Sequence, residues 1–140
     1  MKILLAVDGS DYTKKMLAYL TTHDEMFGAG HQFTLLNVQA ALPTRARAAV
    51  GKDVADHYLR DEAERVLQPV SKFLVRHGID AKSLFKVGHA GETIAKTAES
   101  GRFDMLIMGT HGHGVLGNLV MGSVATQVVA RCKVPVLLVR

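Results

Sequence analysis

A chain of 140 residues, 48% apolar and 21% charged, is the size of one domain and can close a core without a metal or disulfide staple. Its formal net charge of +4 mixes both signs, so it does not by itself argue for nucleic acid and suits an anionic small ligand equally well. Cys132 is the single cysteine, no apolar run approaches bilayer length, and the opening Met1-Lys2-Ile3-Leu4 reaches Asp8 too soon for a signal peptide; a cytoplasmic protein without a membrane segment is expected.

Apolar runs alternate with helical patterns. Residues 3–7 are continuously apolar, as a strand buried on both faces should be. Asp8-Gly9-Ser10 breaks the run, with Ser10 as a helix N-cap and Asp11 at the positive helix end. Tyr12, Met16, Leu17 and Leu20 follow at helical spacing. A second strand is expected over 33–38. Residues 39–52, from Gln39 to Lys52, read as a loop carrying Pro43, Arg45, Arg47 and Gly51, with Asp53 capping the next helix. That helix shows one apolar face through Leu59, Ala63, Val66, Leu67, Val70, Phe73 and Leu74. Pro69 should kink it, and His77-Gly78 should end it.

Residues 81–87 form a third strand of mixed polarity, which suits a sheet edge. A short helix places Ile94, Ala95 and Ala98 inward and stops at Gly101. The wholly apolar strand 105–108 reads as central. A helix over 124–132 with Val124, Val128 and Cys132 on one face precedes the last strand, which runs from Val134 to Val139 with Pro135 at its start. Strands alternating with helices predict a single α/β domain over 1–140, a doubly wound five-stranded parallel sheet with helices on both faces. The polar third strand favours the order 3-2-1-4-5 over 2-1-3-4-5. The switch point then lies between strands one and four, where Asp8 and Gly109 converge.

Residues 109–123 carry the chemistry. Five glycines stand there between a buried strand and a helix, and Gly122-Ser123 sits at the helix N-terminus. Glycines let main-chain N–H groups approach a ligand closely, and such a loop ending at a helix N-terminus is an anion site. The alternative is an unliganded loop with Ser123 acting only as a cap. No lysine follows a glycine in the Walker A frame, which excludes a P-loop NTPase. Gly112-His-Gly114-Val-Leu-Gly117 matches G-x-G-x-x-G, but it follows the fourth strand and no Asp or Glu occurs after Asp104, which argues against a dinucleotide enzyme. What remains is the spacing G-x2-G-x9-G-S, met by Gly109, Gly112, Gly122 and Ser123.

On that spacing, on Ile3-Leu4-Leu5-Ala6-Val7-Asp8-Gly9-Ser10, on Val87-Gly88-His89-Ala90-Gly91-Glu92-Thr93-Ile94, and on Val134-Pro135-Val136-Leu137-Leu138-Val139, the whole chain resembles the universal stress protein family. The resemblance implies an adenine nucleotide alpha hydrolase-like sheet and ATP, with or without Mg2+, as ligand. It implies that Gly109 and Gly112 line the ribose and phosphates, and that Gly122, Ser123 and Val124 hold phosphates. Asp8 would stand near the ribose or a magnesium ion, and Ala6, Val7, Val38 and Met108 would border the adenine. It also implies a homodimer through the last strand. Family loops often carry Arg where His113 stands here, and a neutral imidazole makes a weaker contact.

His111 and His113 are read as phosphate contacts or as simply exposed; no third ligand is near enough to make them a metal pair. The basic loop around Arg45, Arg47 and Lys52 emerges on the nucleotide side, as a lid or as a solvated segment. Cys132 reads as buried and inert. No nucleophile–base frame is present. Three functions are kept apart: a nucleotide-dependent regulator of stress response, a slow ATPase or autophosphorylating protein with Ser123 or a nearby Thr as acceptor, and an interaction module with an empty site. Nucleic acid is disfavoured, because aromatic stacking residues and a basic helix are lacking.

Overall fold

The computed structural model describes residues 1–114 and 120–140. The elements run β1 (Lys2–Ala6), α1 (Asp11–Thr22), α2 (Asp24–Phe27), β2 (Gln32–Gln39), α3 (Thr44–Val50), α4 (Lys52–Arg76), β3 (Ala81–Val87), α5 (Ala90–Ser100), β4 (Met105–Gly109), α6 (Ser123–Arg131) and β5 (Val136–Val139). All five strands are parallel, in the order β3-β2-β1-β4-β5. The polar third strand is indeed an edge.

Successive residues of a strand face opposite sides of the sheet, and here each side closes its own core. Ile3, Leu5, Val7, Leu35 and Ile107 pack against Met16, Leu17 and Leu20 of α1 and Ala63, Leu67, Val70 and Leu74 of α4. Leu4, Ala6, Leu36, Leu106 and Met108 pack on the other side against Ile94 and Ala98 of α5 and Ala125 and Val128 of α6. Two-sided burial is why β1 and β4 read as unbroken apolar runs. Among the described residues no helix is long and apolar enough to cross a membrane.

Several local expectations are corrected. The segment 39–52 is not one loop: Thr44–Val50 is helical, with Pro43 at its N-cap and Gly51 at its C-cap with φ +85°. Every residue of α3 is solvent-exposed, so its sequence carries no apolar face to announce it. Gly51, not Asp53, stands at the N-cap of α4; Asp53 lies in the first turn. Pro69 lies inside that helix, where the sequence placed it. Gly101 ends α5 in helical conformation, and the left-handed residue is its neighbour Arg102, at φ +53°. Cys132 is half-buried rather than buried, and follows α6 as its C-cap. The C-terminus of α4 does end at His77-Gly78. Gly78 takes φ +76°, its N–H reaches the Val75 carbonyl, and the Ile79 N–H reaches that of Leu74.

Candidate functional site

A cleft of about 350 Å³ opens at the carboxyl ends of β1 and β4, where the strand order reverses and α/β sheets leave a crevice. All twelve residues singled out from the sequence border it: Ala6, Val7, Asp8, Val38, Met108, Gly109, His111, Gly112, His113, Gly122, Ser123 and Val124. The floor is apolar. Ala6, Leu36, Val38 and Met108 come from the strand ends, and Ile94, Val124 and Ala125 from the two helices of that face. The rim is polar and largely main chain.

Asp8 is fixed from three directions. Its Oδ1 accepts from the Ser10 N–H at 2.9 Å and from the Thr13 hydroxyl at 2.9 Å, while its own N–H donates to Thr13 Oγ1 at 3.1 Å. The carboxylate thus holds the turn into α1 without capping a helical N–H, since its donors are the Ser10 N–H and the Thr13 hydroxyl. Ser10 occupies the N-cap position of α1, but its Oγ makes no capping bond and is buried without a partner. Thr13, in the first turn of α1, is a cleft residue that the sequence reading missed; its spacing from Asp8 was the available signal.

The glycines of the loop are explained by what a side chain would meet. A Cβ on Gly109 would stand 2.6 Å from Tyr12 Cβ, so β4 can end against α1 only without one. A Cβ on Gly112 would stand 2.5 Å from Asp8 Oδ2, which shows the loop backbone passing directly over the carboxylate. The two ends of the loop are tied together: the Gly122 N–H donates to the Thr110 carbonyl at 2.7 Å, and the Thr110 N–H to that of Val139 at 2.9 Å. His113 adds a longer-range tie, with Nε2 at 2.8 Å from the Asp8 carbonyl oxygen. A carbonyl only accepts, so Nε2 carries the proton. The His111 ring lies 4.8 Å from that of Tyr12, and its Nδ1 is 2.8 Å from Thr110 Oγ1. Residues 115–119, which include Gly117 of the G-x-G-x-x-G match, lie outside the described residues.

Gly122 is the N-cap of α6, and Ser123 is its first residue rather than its cap. Thr126 makes the first helical bond, to the Gly122 carbonyl. The N–H groups of residues 123–125 therefore have no intrahelical acceptor, and Ser123, Val124 and Ala125 all border the cleft. Oriented donors at a helix N-terminus attract an anion. The start of α5 also reaches the cleft through Ala90, which lies in the stretch that carried the family resemblance yet, like Leu36, Ile94, Gly114 and Ala125, was not singled out in the sequence. Arg45, Arg47 and Lys52 do not border the cleft.

Asp8 is the one carboxylate among the residues described as bordering the cleft, and no cluster of three His, Cys, Asp or Glu side chains capable of holding a metal occurs among the described residues. One carboxylate suits a magnesium ion only if a bound nucleotide supplies phosphate oxygens as its other ligands. Asp8 Oδ1 is already engaged by two donors, which leaves Oδ2 for such a role.

The model of the universal stress protein family matches residues 1–140. The universal stress protein in the QAH/OAS sulfhydrylase 3′ region of Thermus aquaticus is 33% identical over 139 residues, covering 99% of this chain and 97% of that protein. Universal stress protein Slr1230 of Synechocystis is 34% identical over 139 residues; the match takes in 99% of this chain but 42% of Slr1230. Among solved structures, protein MJ0577 of Methanocaldococcus jannaschii superposes with a TM-score of 0.82 at 28% identity, over 99% of this chain and 94% of that one. Three universal stress protein structures of the same fold, with TM-scores of 0.67 to 0.70 at 17% to 21% identity over at least 99% of this chain and 90% of theirs, are complexes with cyclic AMP, with dAMP (Archaeoglobus fulgidus) and with AMP (Arabidopsis thaliana). The chain belongs to the universal stress protein family.

Proposed function

We propose that this protein binds an adenine nucleotide in the β1–β4 cleft and works as a nucleotide-dependent regulator in the response to stress. The observation that carries the reading is the division of the cleft into an apolar floor that fits a purine and a rim of main-chain donors that fits phosphate. Ala6, Val7, Val38 and Met108 would hold the base. Gly109 and Gly112 would follow the ribose and phosphates, with Asp8 beside the ribose. Gly122, Ser123 and Val124 would hold phosphate, and His111 and His113 would flank it. Fold relatives that carry AMP, dAMP and cyclic AMP support an adenine ligand. ATP, alone or with Mg2+, is the member of that class that the family resemblance implies.

The regulatory part needs a second state whose population the nucleotide shifts, and a dimer supplies one. β5 is the free edge of the sheet, opposite β3. The Pro135 and Val139 carbonyls bond inward to β4, so Val136 and Leu138 turn their main-chain groups outward, where they would pair with the same strand of a second copy. Sedimentation at micromolar concentration tests this, and a monomer there overturns the dimer.

Mass spectrometry of the protein purified under native conditions tests the ligand, with an adenine nucleotide expected to travel with it. Calorimetric titration with Gly122→Val as control gives a second readout, because a side chain there meets His111 Cα and the Thr110 carbonyl oxygen within 3.3 Å. A phosphoryl-transfer reading rests on one observation, the exposed Ser123 hydroxyl at the rim. Phosphate release or self-labelling that persists undiminished in Ser123→Ala removes that residue as acceptor.

A further inference from the structure

The cleft is poor in charge. Its titratable side chains among the described residues are Asp8, His111 and His113, and no lysine or arginine borders it. The sequence extends this to the whole loop: from Met105 to Ala130 there is no Lys, Arg, Asp or Glu, so neither residues 109–123 nor the body of α6 brings a permanent charge. Cations on the neighbouring elements stand elsewhere. Lys15 of α1 lies over the Tyr12 ring, 4.5 Å from its centroid, and Lys14 is exposed beside Asp11. The first turn of α5 offers Glu92, which is acidic.

His113 does not fill the gap in its neutral form. Its Nε2–H is committed to the Asp8 carbonyl, so Nδ1 holds a lone pair that accepts and cannot donate to phosphate.

We propose that the cleft selects among adenine nucleotides by charge: it takes a monophosphate at least as tightly as the metal-free triphosphate, and the side chain at position 113, with its Nε2–H committed to the Asp8 carbonyl, sets that preference. The inference rests on the adenine-nucleotide reading above. Main-chain donors at a helix N-terminus act over about one turn, so they favour the first phosphate group that reaches them. Each further phosphate adds negative charge near the Asp8 carboxylate, over which the Gly112 backbone is folded, with no side-chain cation to offset it.

The test is calorimetric titration of the full chain with AMP, cyclic AMP and ATP, in EDTA, at about 0.15 M salt and about pH 8. AMP is expected to bind as tightly as ATP or more tightly. His113→Arg, at an exposed position, is expected to raise the ratio of ATP to AMP affinity about tenfold, the order expected of one charge-assisted contact. His113→Gln, a neutral replacement, is expected to leave that ratio where it is. Wild-type protein that binds ATP about tenfold more tightly than AMP overturns the selection but keeps the nucleotide reading. Equal gains for ATP and AMP in His113→Arg overturn the role of position 113. Failure of every adenine compound to bind at millimolar concentration overturns the nucleotide reading and the selection together.

Discussion

Asp8 does two jobs with one carboxylate. It closes the turn into α1 by accepting from Ser10 N–H and Thr13 Oγ1, and it faces the cleft beneath the glycine-rich loop. Removing it leaves a main-chain N–H and a buried hydroxyl without their acceptor, which costs about 1–3 kcal/mol. Asp8→Ala should therefore lower the denaturant midpoint as well as weaken nucleotide binding; an unchanged midpoint would show that the turn holds without it. Position 8 stood out in the sequence because a charged residue ends an apolar strand. Its partners did not, because Ser10 was the better cap by type, and only the fold shows its hydroxyl buried and unused. Cys132 carries a separate expectation. Burial, with the Glu99 carboxylate adding to it, pushes its thiol above the ordinary cysteine value, against a smaller opposing effect of its hydrogen bond at Val134. Less thiolate at neutral pH means slower alkylation than a free cysteine shows, with the rate rising as the pH is raised. Labelling as fast as that of a model thiol at neutral pH would contradict this.

The helices that frame the cleft approach each other closely at Gly91. Gly91 of α5 is buried, and a Cβ there would stand 2.6 Å from Gln127 Cβ of α6. Both helices lend their N-terminal ends to the cleft, so a shift between them moves its walls. Gly91→Ala should cost about 1–3 kcal/mol through overpacking. A thermal midpoint equal to that of the wild type would mean that α5 and α6 can slide apart freely. Elements with a buried face were legible from their periodicity: α1, α4 and α5 each repeat apolar residues at helical spacing. The helix α3 was not legible because it buries nothing, and its Pro and Gly punctuation reads equally well as a loop or as the two ends of a short helix. Likewise the stop of α5 was legible as a glycine, whereas the left-handed conformation falls on Arg102, which residue type does not announce.

For the molecule as a whole, the order β3-β2-β1-β4-β5 follows from which strands can tolerate water. β1 and β4 are apolar on both faces and must be covered twice, whereas β3 is largely exposed and can sit only at an edge. That order sets the crevice between β1 and β4. A ligand that binds only the folded form stabilises it by mass action, by about 2.7 kcal/mol at a hundred times its dissociation constant. Saturating adenine nucleotide should thus raise the thermal midpoint by several degrees, and Gly122→Val should abolish the rise without lowering the starting midpoint as far as a core substitution such as Leu74→Ala, which costs about 2–5 kcal/mol. A midpoint indifferent to nucleotide would refute binding.

Residue pattern alone determined the alternation of strand and helix, the two-sided burial of β1 and β4, and the gathering of glycines at one strand end, because periodicity and the placing of residues that lack a side chain are properties of the chain itself. Tertiary structure decided what those glycines approach: Tyr12 beside Gly109, the Asp8 carboxylate beneath Gly112, Gln127 against Gly91. It also decided that the Ser10 hydroxyl is buried without a partner while Asp8 takes the Ser10 N–H, and that the His113 ring reaches back to the Asp8 carbonyl. Contacts of that kind join residues as many as 105 positions apart, and no local pattern encodes a distance that only the closed sheet creates.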